Sequence, residues 1–217
     1  MNEELNNILL KVQELYKKYG IKSITMDDVA KHLAISKKTL YHYVCDKTDL
    51  VSRVIELELE QNTIEMEKAL NKQTDALETI MIVFNLVKKN IAGYNPSMNY
   101  DLQKYYPELH KHYWQMKKKK IYQAIKLNIR QGIREGLFRD DVNGDIIAKI
   151  HIARLEGLFT GDFIPHEEAM SPLFISETFI YHIRGVASEK GLAQFLANSD
   201  KLDLLLNNTN LNNLKIS

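Results

Sequence analysis

Apolar residues recur every three or four positions through most of the chain, which is the spacing of one buried helix face. Leu5, Ile8, Leu9, Val12, Leu15, Tyr16 and Tyr19 form the first such stripe, and Gly20 stops it. Two short helical patterns follow in residues 25–44, and a long helix is expected from Lys47 to about residue 70. The next helix spans 75–92, with Leu77, Ile80, Met81, Phe84, Val87 and Ile91 inward. Residues 93–96 break it. A short aromatic helix is expected over 99–106 and a long one over 107–135, opened by Pro107 and closed by Gly136. Further helices are expected from residue 143 or 145 to 158, over 172–188 behind a Ser171-Pro172 start, and over 192–206, with a loop at 161–170. There is no period-two alternation, internal repeat or glycine-rich phosphate loop. The pattern predicts an all-α chain.

The stretch 22–50, KSITMDDVAKHLAISKKTLYHYVCDKTDL, narrows the function most. Thr25 reads as an N-cap, with Asp27 and Asp28 in the first turn, where negative charge suits the helix dipole. Val29, Ala30 and Leu33 share a buried face. Ala34 and Ile35 form a turn, and Ser36 caps a second short helix whose Leu40 and Val44 face inward. That arrangement leaves Lys37, Lys38, Thr39, Tyr41, His42 and Tyr43 on or near exposed faces. Such side chains hydrogen-bond phosphates, donate to base edges and meet thymine methyls. Asp46 caps a third helix, and Lys47 in its first turn suits a phosphate. Two short helices joined by a tight turn, the second polar and aromatic, form a helix-turn-helix.

The order of these residues resembles the DNA-binding domain of TetR-family transcriptional regulators. It runs from the first helix through Ile24-Thr25, Asp28-Val29-Ala30, Leu33-Ala34-Ile35-Ser36 and Thr39-Leu40-Tyr41-His42-Tyr43 to Lys47 and Leu50. Ala34 stands where the family often has glycine, and Val44 where it often has phenylalanine. The resemblance implies a three-helix DNA-binding domain over 1–47. A larger helical ligand-binding and dimerisation domain would follow over 48–206, with a frayed asparagine-rich tail over 207–217. It also implies a homodimer on a palindromic double-stranded operator. The small-molecule effector would shift the helix beginning near Lys47, and the regulator would be a repressor that the effector releases.

Composition fits an intracellular protein without adding a partner. Net charge is +1, and residues 1–50 hold eight lysines against four aspartates and three glutamates, so DNA affinity must come from local lysine placement. One monomer should bind weakly and two copies together. The lone Cys45 suits a reducing cytosol, no leader pattern opens the chain, and the longest apolar run is too short to span a bilayer. The expected setting is cytoplasmic, with no membrane partner.

Rings gather between residues 94 and 122, where they mix with a few polar tips. An apolar or aromatic ligand wants such walls. The candidate ligand residues are Phe84, Tyr105, Tyr106, Tyr113, Trp114 and Phe159, with His110 and Arg154 as polar anchors. Core packing explains the same rings equally well. The family's habit of pairing subunits through its last two long helices implies Phe174, Phe179, Ile183 and Val186 at a dimer contact. The lysine run 117–120 points all round a helix and reads as solvated surface. His110 and His112 splay apart on a helix, so no metal or other cofactor is expected. No nucleophile elbow, zinc-protease motif or dinucleotide fingerprint supports catalysis. The remaining alternatives are a protein-binding helical adaptor and a small helical enzyme built around His151. Specific operator binding would exclude both.

Overall fold

The structure, a computed structural model, describes residues 3–70, 74–92, 96–160 and 163–198. It is all-α. The helices are α1 (Glu3–Tyr19), α2 (Met26–His32), α3 (Lys37–Tyr43), α4 (Lys47–Leu70), α5 (Ala76–Ala92), α6 (Pro96–Tyr105), α7 (Pro107–Arg134), α8 (Gly144–Thr160), α9 (His166–Ala169), α10 (Pro172–Val186) and α11 (Glu189–Ala197). Most bounds fall close to the periodic stripes. α6 begins three residues before expectation because proline is preorganised for a first turn. α9 is a single turn inside the stretch expected to be a loop. α11 starts early because the Ser188 hydroxyl caps the Gly191 amide at 3.1 Å. The end of that expected helix and the tail at 207–217 lie outside the described residues.

The chain divides into two compact units, one formed by residues 1–65 with 93–117 and the other by 66–92 with 118–217. In the first, α1 contributes Leu9, Val12 and Tyr16, α2 Val29, α3 Leu40, α4 Leu50, Val51 and Val54, α6 Leu102 and α7 Tyr113 to one core. Burying each aliphatic side chain stabilises by about 1.5–3 kcal/mol before chain entropy is counted. Gly20 closes α1 with φ +79°, and its amide reaches the Tyr16 carbonyl at 2.9 Å. The next turn is pinned by Asp101 of α6, which accepts from the Lys22 amide at 2.7 Å.

The second unit has its own core of Leu77 and Phe84 from α5, Ile129 from α7, Leu137 and Phe138 from the following turn, Phe179, Ile183 and Val186 from α10, and Phe195 from α11. Gly136, at φ +68°, reverses the chain after α7. The Leu137 and Phe138 amides then both reach the Gly132 carbonyl, at 2.8 and 3.0 Å. That lays the Phe138 ring on Gly132, where any Cβ would overlap it.

This core holds three of the four expected dimer residues. Ile183 and Val186 are fully buried in their own subunit and Phe179 nearly so, while Phe174 is partly buried. Phe84 stacks on Phe179 with centroids 4.2 Å apart. The 172–188 stripe is the helix's inner face. Among the described residues, the large apolar side chains exposed on α10 are Leu173 and Tyr181, and those on α8 are Ile146 and Ile150.

Candidate functional site

The helix-turn-helix is set by short-range side-chain caps. Thr25 and Asp28 make a reciprocal capping box at the start of α2, with the Asp28 amide 3.1 Å from Thr25 Oγ1 and the Thr25 amide 2.9 Å from Asp28 Oδ2. The Thr25 hydroxyl and then the Thr25 amide, both donating to the Asp28 carboxyl, hold it below its ordinary pKa. Ser36 Oγ accepts from the Thr39 amide at 3.0 Å and starts α3. Asp46 Oδ1 accepts from the Asp49 amide at 2.9 Å at the start of α4.

Between α2 and α3 the chain turns on Ala34 at φ +55°, the one non-glycine residue with positive φ among those described. The Ala34 amide reaches the Lys31 carbonyl at 3.2 Å and the Ile35 amide the Ala30 carbonyl at 3.1 Å. The turn keeps its left-handed geometry without glycine, and the Cβ carries a steric penalty.

Capping and pairing divide the nine expected DNA contacts. The Thr25 hydroxyl donates to Asp28 at 2.6 Å, so its proton is already used. Ser36 and Thr39 share a hydroxyl bond at 2.7 Å. The Tyr43 hydroxyl is bonded to Glu4, which raises its pKa, and its ring packs against the core. The Lys37 ammonium pairs with Asp27 of α2 at 2.9 Å, and this bond raises its pKa. Both partners are exposed, so the pair is weak and a phosphate can compete for the lysine.

Lys38, Tyr41 and His42 are exposed, and none makes a side-chain hydrogen bond to a described residue. The i, i+4 spacing of Lys38 and His42 puts them on the face opposite buried Leu40. Lys47 is half-buried, with Nζ 3.4 Å from the Lys22 carbonyl. Desolvation and then the Lys22 charge lower its pKa, while Asp101 and Asp28 act the other way. An anion at this helix start would favour the charged form further.

The ligand candidates do not gather in one unit. Tyr105, Tyr106, His110, Tyr113 and Trp114 belong to the first, and Phe84 and Arg154 to the second. Tyr106 and Trp114 pack against the first unit's core and Tyr113 is part of it, whereas Tyr105 is exposed. Core packing is therefore what this aromatic excess serves first. His110 Nε2 is buried without a hydrogen-bond partner, and burial lowers its pKa. The Phe159 side chain lies outside the described residues. In the second unit, Arg154 donates to His151 Nδ1 at 3.2 Å, and the His151 and His182 rings meet edge to face at 6.0 Å. Sequence reading did not single out His182. No linear pattern brings it to its neighbours on α8.

Residues 9–54 match the family described as bacterial regulatory proteins, tetR family. No curated protein matches the chain. Several solved structures share its fold. A transcriptional regulator from Cytophaga hutchinsonii is 20% identical, with TM-score 0.72, over 86% of this chain and 100% of that one. The TetR-family protein CprB from S. coelicolor A3(2) is 15% identical, with TM-score 0.61, over 93% and 98%. The ketosteroid transcriptional regulator KstR2 of Mycobacterium tuberculosis is 17% identical, with TM-score 0.54, over 87% and 97%. Over residues 9–54, from α1 into α4, the chain is similar to bacterial regulatory proteins of the tetR family, and over most of its length it shares the fold of the solved regulators. Among the described residues no helix is long and apolar enough to cross a membrane.

Proposed function

We propose that this protein is a cytoplasmic, homodimeric repressor that leaves its operator when a small, mainly apolar molecule binds. The observation that carries the DNA-reading part is the outward face of α3. Lys38, Tyr41 and His42 are uncommitted there, on a helix whose start is fixed by the Ser36 cap. Lys38 and His42 read base edges, with Lys37 and Thr39 beside them. Tyr41 and Lys47 hold the backbone, where contacts set register rather than sequence. Ser36, Thr25 and Tyr43 act mainly by building the fold around that face.

Two copies pair through α8 and α10, using the exposed Ile146, Ile150, Leu173 and Tyr181. An isologous pairing sends two α3 helices to successive major grooves of a palindromic site. The effector binds the second unit, with Phe84 among its walls and Arg154 as a polar anchor. The name of the ketosteroid regulator supports an apolar ligand class. α4 carries the DNA-side Lys47 at its start and enters the second unit's residue range at 66. It is the element whose two positions an effector would favour unequally.

Fluorescence anisotropy with operator DNA over a salt series tests the backbone role of Lys47. Lys47→Ala should weaken binding to every sequence alike and flatten the log–log salt slope by about one unit. An unchanged slope would remove Lys47 from the interface.

A further inference from the structure

We infer that Arg154, His151 and His182 form a receptor for a carboxylate, so that the effector is a small organic acid with an apolar body. This rests on the reading that the second unit binds an effector, and it names the effector's chemical class.

Arg154 is a cation with no acidic partner among the described residues. Glu156, two residues on, is taken by Lys118, and Asp145 by Lys126 and Lys149. Arg154 Nε is buried and has no hydrogen-bond partner. Its guanidinium meets an imidazole instead, with Nη2 at 3.2 Å from His151 Nδ1. A guanidinium only donates, so Nδ1 accepts and the His151 proton sits on Nε2. His182 lies edge to face against His151 at 6.0 Å. Burial, with Arg154 as the next cause, lowers both imidazoles, His151 to about 3 and His182 to about 4. Both are therefore neutral at pH 7, and the cluster holds one positive charge and no negative one. Leaving a partly buried cation without a counter-charge is unfavourable, and an anion that accepts from it relieves the penalty.

The geometry selects the ligand. The free Nε–H is one of the two parallel donors with which a guanidinium grips a carboxylate. One formal charge matches a monoanion better than a phosphate dianion. Apolar side chains lie close by on the same helix, packed in the second unit's core. Phe179 lies three residues before His182 on the inner face of α10 and stacks on Phe84 at 4.2 Å.

The test uses the full chain, with the Arg154 Nε–H followed by NMR and melting followed by fluorescence at constant ionic strength. Acetate is the minimal probe. Phenylacetate, indole-3-acetate and octanoate are paired with their primary amides as sized probes. Acetate should shift the Arg154 signal saturably and acetamide should not. At least one larger acid should bind ten-fold or more tightly than its amide. Arg154→Met should abolish that preference and, without ligand, melt at or above wild type, since it deletes an unpaired buried charge. Equal binding of acid and amide overturns the receptor but leaves the effector reading standing. If no acid shifts the Arg154 signal while an amide binds, the receptor alone fails. If nothing binds, both readings fail. A lower melting point for unliganded Arg154→Met would make Arg154 a structural donor and overturn the receptor.

Discussion

The two units are specified at different ranges along the chain. In the helix-turn-helix of the first, the deciding side-chain bonds join residues three apart: Thr25 with Asp28, Ser36 with Thr39, Asp46 with Asp49. In the second they cross long stretches of sequence. Asn128 Nδ2 donates to the Ala76 carbonyl at 2.9 Å, Glu135 accepts from the Ala76 amide at 2.8 Å, and Gln194 donates to Asp75 at 2.7 Å. A helix-turn-helix is a local device, so a short sequence can specify it. The second unit is assembled from distant partners, and its side-chain pairing can change without disturbing local helix signals.

The sharpest test of the second unit separates the two faces of α10. Phe179→Glu places a carboxylate in the core beside Phe84 and should destabilise that unit by several kcal/mol. Tyr181→Glu, on a residue 79% exposed, should change monomer stability by less than about 0.5 kcal/mol yet dissociate the dimer. Urea unfolding and light scattering read the two effects. A folded Phe179→Glu, or a Tyr181→Glu that stays dimeric, would reverse the assignment of faces.

Acid should also act strongly on the second unit. His151 and His182 titrate near 3 and 4 when folded, against an ordinary value of 6.5. Between those limits the unfolded chain binds protons that the folded unit does not. Stability should therefore fall as pH drops below about 6.5, down towards 4. Replacing both residues by glutamine should flatten the curve. A wild-type stability constant across this window would mean that neither imidazole is held neutral.

Single hydrogen bonds refine the comparison. Asn128→Ala leaves the buried Ala76 carbonyl without that donor and should cost about 1–3 kcal/mol. Thr25→Ala removes an exposed cap and should cost about 1 kcal/mol. Chemical denaturation of the two variants checks the order. Smallest is Ala34→Gly. It relieves a left-handed alanine, and the looser unfolded chain offsets part of the gain, so the net stabilisation should be about 0.5–1 kcal/mol. A destabilised variant would mean that the turn does not depend on its φ of +55°.

These ranges explain what could be read in the sequence. The caps at Thr25, Ser36 and Ser171, the stops at Gly20 and Gly136 and most helix limits were visible, because each depends on neighbours. The single-turn α9 had no periodic stripe to reveal it. The inner stripe of α10 was visible as a stripe, but an apolar stripe does not say whether it meets its own subunit or another copy. Phe179, Ile183 and Val186 proved to meet their own. Commitment of side chains was also hidden. Nothing in a linear pattern shows that Lys37 faces Asp27 or that Tyr43 reaches Glu4, whereas Lys38 and His42 stay free. The Arg154–His151–His182 cluster joins two helices across some thirty residues of sequence, and only folding brings it together.

The central claim is that α3 of this protein reads a palindromic DNA site, with Lys38 and His42 at the bases. Selection of binding sites from a random duplex library by the purified protein tests it most directly. The account predicts an enriched inverted repeat whose half-sites lie about one helical turn apart. Lys38→Ala should relax the preference at one position of each half-site, where a good side-chain contact discriminates by about 1–3 kcal/mol, and Lys37→Ala should relax it less. No enriched sequence for the wild-type protein, or the same motif at unchanged strength for Lys38→Ala, would contradict it.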